Sequence, residues 1–131
     1  MLPLCLSEGV GANPWSPLAR GRLTRPWSDE PVTERAKTDA FGRELFDGTA
    51  AIDKPVIDRL TEVARERELP ASQIALAWML CNPAITAPIV GATKIAHLDD
   101  AIAALSIELS SGEIDRLEEP YQPHPLPPQL T

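Results

Sequence analysis

Two short apolar runs, Val10 to Trp15 and Ala87 to Val90, lie roughly seventy residues apart with mainly helix-forming sequence between them. Strands separated by helices pair in parallel through a right-handed crossover. Parallel sheets need both faces covered and occur almost only in larger layered or barrel folds. Two strands cannot close a barrel. The pattern therefore constrains the chain to an α/β arrangement in which the two runs lie side by side, with Trp15 and Gly91 at the same end.

Each run ends in small, hydroxyl and basic residues and then passes into helical sequence. The first continues as Pro14-Trp15-Ser16-Pro17-Leu18-Ala19-Arg20-Gly21 and the second as Ile89-Val90-Gly91-Ala92-Thr93-Lys94. Ligands collect at the carboxyl ends of strands in α/β proteins, where backbone amides and helix N-termini face an anion. Both segments read as strand ends opening onto a phosphate. In the second, a Gly turn, a hydroxyl N-cap and positive charge in the first helical turn share that logic. On residues alone, Trp15 also reads as a core side chain at a strand end, Thr93 as a helix cap, and Lys94, Arg20 and Arg22 as solvated charges.

The remaining sequence supplies the helices. Leu2 to Ser7 suits the end of a helix stopped by Glu8-Gly9. Arg22 to Thr49 is polar and poorly periodic, a long loop with a short helix around Arg35 to Phe46; loops this long are usually functional lids or disordered. Asp53 before Pro55 marks a helix start, with proline in the first turn where its missing amide costs nothing. Val56, Ile57, Leu60, Val63 and Ala64 then recur at helical spacing, a buried stripe on a surface helix. Ser72 to Leu80 is a more apolar helix halted by Asn82-Pro83, and Ile95 to Leu105 another, with Leu98, Ile102 and Leu105 on one face. Ser110-Ser111-Gly112-Glu113 is a capping box opening a last helix through Glu119. From Pro120 onward five of twelve residues are proline, which makes a loose tail containing Tyr121, read as a packing anchor, and His124.

Composition narrows the function. A net charge of −7, with 12 basic against 19 acidic residues, opposes nucleic-acid binding. Cys5 and Cys81 are too few and too far apart for a disulfide framework, and with only His97 and His124 no metal-ligand spacing appears. Two reduced thiols point to a cytosolic, cytoplasmic protein. No apolar stretch is long enough to span a bilayer, and the start lacks a signal-peptide pattern.

The quoted motifs carry a family resemblance. Val10-Gly11, the 14–21 segment, Ala87-Pro88-Ile89-Val90-Gly91-Ala92-Thr93-Lys94 and the closing Leu117-Glu118-Glu119-Pro120-Tyr121 resemble, in order and spacing, the last third of aldo-keto reductases. The resemblance implies a partial (β/α)8 TIM barrel: its last two strand-helix units plus C-terminal helices over residues 1–119, a long loop at 22–49 and a Pro-rich tail at 120–131. Met1 falls inside what would be the sixth helix, as for a fragment from a truncated or restarted reading frame.

The resemblance also implies a cofactor, NADP(H). The aromatic at the position of Trp15 stacks on the nicotinamide in that family, and Ser16, Pro17, Leu18 and Gly21 match positions lining the pyrophosphate. Gly91, Thr93, Lys94 and His97 match the part that holds the adenosine 2′-phosphate and adenine. Asp100 falls where a Glu often contacts the adenine amino group, whereas Ala101 departs from the usual amide side chain. Arg35 aligns with a loop arginine that clamps the cofactor. The family's catalytic residues, a Tyr proton donor supported by Lys, Asp and His, come from the first half of the barrel, and none of their motifs occurs here; no catalytic residue and no metal site are assigned.

The expected function is thus that of the NADP(H)-binding C-terminal portion of an aldo/keto reductase, a family that reduces a carbonyl to an alcohol with NADPH. As a fragment it should be inactive, with a carbonyl substrate only in a full-length protein. The alternative is a non-catalytic interaction protein that self-associates, or pairs with a complementary barrel fragment, through exposed sheet edges and helix faces.

Overall fold

A computed structural model of the chain describes residues 1–28, 38–46 and 48–124. Within them the helices are α1 (Leu2–Ser7), α2 (Ala40–Leu45), α3 (Ala50–Glu66), α4 (Ala71–Leu80), α5 (Ile95–Ala103) and α6 (Ser111–Glu118), with 3₁₀ segments at Ala19–Thr24 and Ala104–Ser106.

The two expected strands appear only as isolated parallel bridges among the described residues, Ala12 with Ile85 and Trp15 with Ile89. Ala12 donates to the Ala84 carbonyl and accepts from the Thr86 amide, each at 2.9 Å, and the Ile89 amide donates to Pro14 O at 2.8 Å. The pairing direction agrees with a crossover through α3 and α4. Its brevity comes from Pro14 and Pro88, which have no N–H to continue a ladder.

Gly11 makes the close approach feasible. A Cβ built there would lie 2.0 Å from Thr86 Oγ1 and 3.1 Å from Thr86 Cβ. Gly11→Ala is therefore expected to cost about 1–3 kcal/mol by overpacking. Faster hydrogen exchange at the Ala12 and Thr86 amides, with α4 unaffected, is the expected readout.

The core sits where α3, α4 and α6 meet. α3 turns Ile57, Leu60, Val63 and Ala64 inward, α4 is apolar on most of its surface and buries residues 72–77, and α6 adds Leu117. Ile74, at 0% exposure, is the centre of this cluster. α3 starts earlier than Asp53: Thr49 is its N-cap, and Pro55 lies inside the helix. Thr49 Oγ1 lies within hydrogen-bonding distance of both Phe46 O, at 2.9 Å, and the Asp53 carboxylate, with its one proton serving either acceptor, so the hydroxyl joins the entry turn to the first helical turn.

α6 is fastened to α3 by charge. Arg116 forks onto Glu66 at 2.7 and 2.9 Å, Arg59 reaches Arg116 O and Glu119 at 2.8 Å, and Arg67 meets Glu113 at 3.2 Å. The capping box forms as expected, with Ser110 Oγ accepting from the Glu113 amide and the Glu113 carboxylate accepting from the Ser110 amide. That backbone bond and the Ser110 hydroxyl hold the Glu113 carboxyl below its ordinary value, and the Arg116 fork does the same for Glu66. Carboxyls depressed by folding stabilise above their unfolded pKa, and this contribution is lost as pH falls through the folded value. On acidification below about pH 4.5, the unfolded value, α6 amides are expected to lose exchange protection before those of α4.

One reading of the tail is corrected: Tyr121 is 64% exposed and is no packing anchor. Residues 121–124 have no regular structure, and His124 Nε2 lies 2.7 Å from Asp53 Oδ1 at the start of α3.

Candidate functional site

The parallel pairing sets Trp15 beside Ile89, so the loops that follow them, 16–21 and 90–94, leave from one edge. Trp15 is 58% exposed there and offers an open indole surface. Its loop is an unusual piece of backbone: Ser16, Ala19 and Arg20 have φ of 50°, 47° and 56°, and Gly21 has 96°. Left-handed non-glycine residues cost of order 1–3 kcal/mol each and persist only where their surroundings hold them. Here Ala19 N donates to Ser16 O and Gly21 N to Leu18 O, both at 2.9 Å, while Pro17 is buried beneath the turn.

Arg20 and Arg22 are not solvated charges. Arg20 grips Asp39 through two nitrogens, at 2.5 and 2.9 Å, in a half-buried ion pair. The hydrogen bond to Asp39 holds the guanidinium above its ordinary pKa. Asp39 in turn caps α2 by accepting from Gly42 N at 2.9 Å. Arg22 stacks 4.3 Å from the Phe46 ring centroid and 5.8 Å from that of Trp27, and its Nη1 lies 3.3 Å from Asp53 Oδ2. The 38–46 segment is thus fastened to the 16–21 loop by Arg20 and to the residue just after that loop by Arg22. The legible signal was Asp39 three residues before Gly42, an Asp N-cap pattern. What charge pattern does not reveal is which arginine answers it.

At the second loop, Gly91, Thr93, Lys94 and His97 are all exposed. The expected hydroxyl cap is corrected: Lys94, not Thr93, occupies the N-cap of α5, with extended backbone and no side-chain cap bond. Asp100 accepts from Gln73 Nε2 at 2.8 Å and lies 3.5 Å from Ser72 Oγ, tying α5 to α4. Arg35 lies outside the described residues. Among the described residues no cluster of His, Cys, Asp and Glu suits a metal ion, and no helix is long and apolar enough to cross a membrane.

The sequence model of the aldo/keto reductase family matches residues 1–122. A versiconal hemiacetal acetate reductase of Aspergillus parasiticus is 41% identical over 98% of this chain and 37% of its own length. A putative aryl-alcohol dehydrogenase of Schizosaccharomyces pombe is 42% identical over 96% of this chain and 35% of its own. The chain thus spans little more than a third of the length of these curated relatives. Among solved structures, a glycerol dehydrogenase of Gluconobacter oxydans superposes with a TM-score of 0.64 at 19% identity, over 98% of this chain and 40% of that one.

Proposed function

The chain belongs to the aldo/keto reductase family, and from that premise we propose that it is the NADP(H)-holding, C-terminal portion of a barrel reductase of carbonyl compounds. The observation that carries the reading is the parallel pairing, which gives the 16–21 and 90–94 loops a common edge. The residues present fit the cofactor. An open indole face suits a flat ring, and the small, tightly turned Ala19 to Gly21 backbone leaves room for a close approach of the cofactor. Exposed Thr93, Lys94 and His97 suit a phosphate at the start of α5.

In this reading Trp15 stacks the nicotinamide, Ser16, Pro17, Leu18 and Gly21 line the pyrophosphate, and Gly91, Thr93, Lys94 and His97 take the 2′-phosphate and adenine side. Arg35 clamps from the loop, and Asp100 contacts adenine if it leaves Gln73. The bound group supplies hydride. The chain's own residues orient the ring, exclude water from one face of it and neutralise phosphate charge. The proton for a carbonyl oxygen is the task of the family's Tyr, which this stretch does not carry, so the substrate belongs to a longer protein or a complementary chain. The partial (β/α)8 architecture over 1–119, the tail at 120–131 and a cytoplasmic setting belong to the same proposal.

Calorimetric titration of the 131-residue chain with NADPH and NADH tests it. Saturable NADPH binding that weakens on Lys94→Ala is expected, and absence of heat with either nucleotide would overturn the reading.

A second reading, association through exposed faces, is favoured by α5. No residue of that helix is buried, and Ile95, Leu98 and Ile102 are 80%, 51% and 56% exposed, with Leu105 beyond it at 70%. Surface of that kind favours self-association or a complementary barrel portion. Sedimentation velocity at micromolar concentration decides, with a monomer counting against it.

A further inference from the structure

Trp15 is not alone at its edge. Phe41, in the first turn of α2, brings its ring centroid to 6.4 Å from that of Trp15 with the planes inclined at 34°. That separation lies within the range of interacting aromatic pairs. Phe41 keeps 54% of its surface exposed and makes no part of the buried core. Nothing about α3, α4 or α6 requires an aromatic there.

Its position is nonetheless fixed. Arg20 lies 5.5 Å from the Phe41 centroid, over the ring, while its guanidinium grips Asp39, the residue that caps α2. The same capping turn is tight, because a Cβ on Gly42 would fall 2.5 Å from Asp39 Oδ2 and 3.0 Å from Arg20 Nε. Arg20 belongs to the loop that begins at Trp15. One loop therefore carries the indole and also the guanidinium that sets where Phe41 stands beside it.

We propose that Phe41 is a positioning residue for Trp15: locked by Arg20 and Asp39, it buttresses the indole from the 38–46 segment and so fixes the plane on which a flat ring stacks. The inference rests on the cofactor reading above. Phe41 supports the indole, and the indole's open surface takes the ring. The 38–46 segment thereby contributes to binding through the tilt of one side chain and not through contact with phosphate.

The test uses the full chain, with the three indole N–H resonances of Trp15, Trp27 and Trp78 assigned through Trp→Phe variants. In Phe41→Leu and Asp39→Asn the Trp15 resonance is expected to shift and broaden, while that of Trp78, whose Nε1 donates to Glu118 at 3.0 Å, stays in place. NADPH affinity is expected to weaken by about three- to tenfold in both variants, in keeping with the worth of an aromatic pair. Phe41→Tyr is expected to restore both signals, which a merely structural loss would not do. A Trp15 resonance and an affinity unchanged in Phe41→Leu overturn the buttress and leave the cofactor reading standing. If the wild-type chain binds no nicotinamide nucleotide, the cofactor reading fails and this inference fails with it.

Discussion

Incubated alone with NADPH and an aromatic aldehyde, the chain is expected to oxidise the nucleotide no faster than background. Addition of a second chain carrying the first two thirds of a relative such as the Aspergillus parasiticus reductase is expected to raise the rate by at least ~10³-fold. The size of the effect follows from what is missing. A positioned general acid typically contributes about 10²–10⁴-fold, and holding the carbonyl in line with the donor contributes further orders of magnitude. Tyr121, the single tyrosine, stands exposed beyond α6 in a segment without regular structure. Saturable turnover by the pure chain would sink the proposal that it is the cofactor-holding portion alone.

The second large effect falls on the core. Ile74→Ala removes a side chain with 0% exposure from the centre of the α3, α4 and α6 cluster. Such truncations cost about 2–5 kcal/mol, out of a total stability of order 5–15 kcal/mol for a complete domain. A molecule that leaves an apolar helix face uncovered belongs at the lower end of that range, so the variant is expected to be substantially unfolded in buffer by circular dichroism. Ile102→Ala, on the 56%-exposed face of α5, serves as the control and is expected to change stability by no more than about 0.5 kcal/mol. Equal losses in the two variants would mean that α5 is covered in solution.

Local chemistry explains which features were readable in the sequence. The Ser110 to Glu113 capping box, the α4 stop at Asn82-Pro83 and the inward stripe of α3 each depend on residues within a few positions of one another. Such signals survive without tertiary information. The helix start at Thr49 did not: Asp53 before Pro55 is a sound opening by propensity, but the Thr49 hydroxyl bridging Phe46 and Asp53 extends the helix backward past the proline. The N-cap of α5 fell on Lys94 and not on Thr93 for a similar reason, a one-residue difference in where the backbone turns helical. The strands were legible as apolar runs and in their direction, while Pro14 and Pro88 limited them to single bridges. At the candidate site, Trp15 and the 16–21 loop stand out through a motif. The Arg20–Asp39 clasp, the Arg22 stack and the His124 contact with Asp53 are long-range pairings of polar residues. Sequence assigns such residues to solvent because most of their kind are there.

The separation along the chain of the two halves of the bridge region has a kinetic meaning. α3 and α4 are neighbours in sequence and bury the core between them, so they can assemble with little loop to close. Joining Ala12 to Ile85 and Trp15 to Ile89 closes a loop of roughly seventy residues, at about 4 kcal/mol of chain entropy beyond a constant term. The helical hairpin is thus expected to form the folding nucleus, and the edge bearing the ligand loops to dock after the rate-limiting step. Destabilising substitutions at the bridge, Gly11→Ala among them, should then accelerate unfolding and leave the folding rate nearly unchanged, whereas Ile74→Ala should slow folding itself. The part of the molecule proposed to meet the cofactor is, by this order of events, the last to arrive and the first to leave.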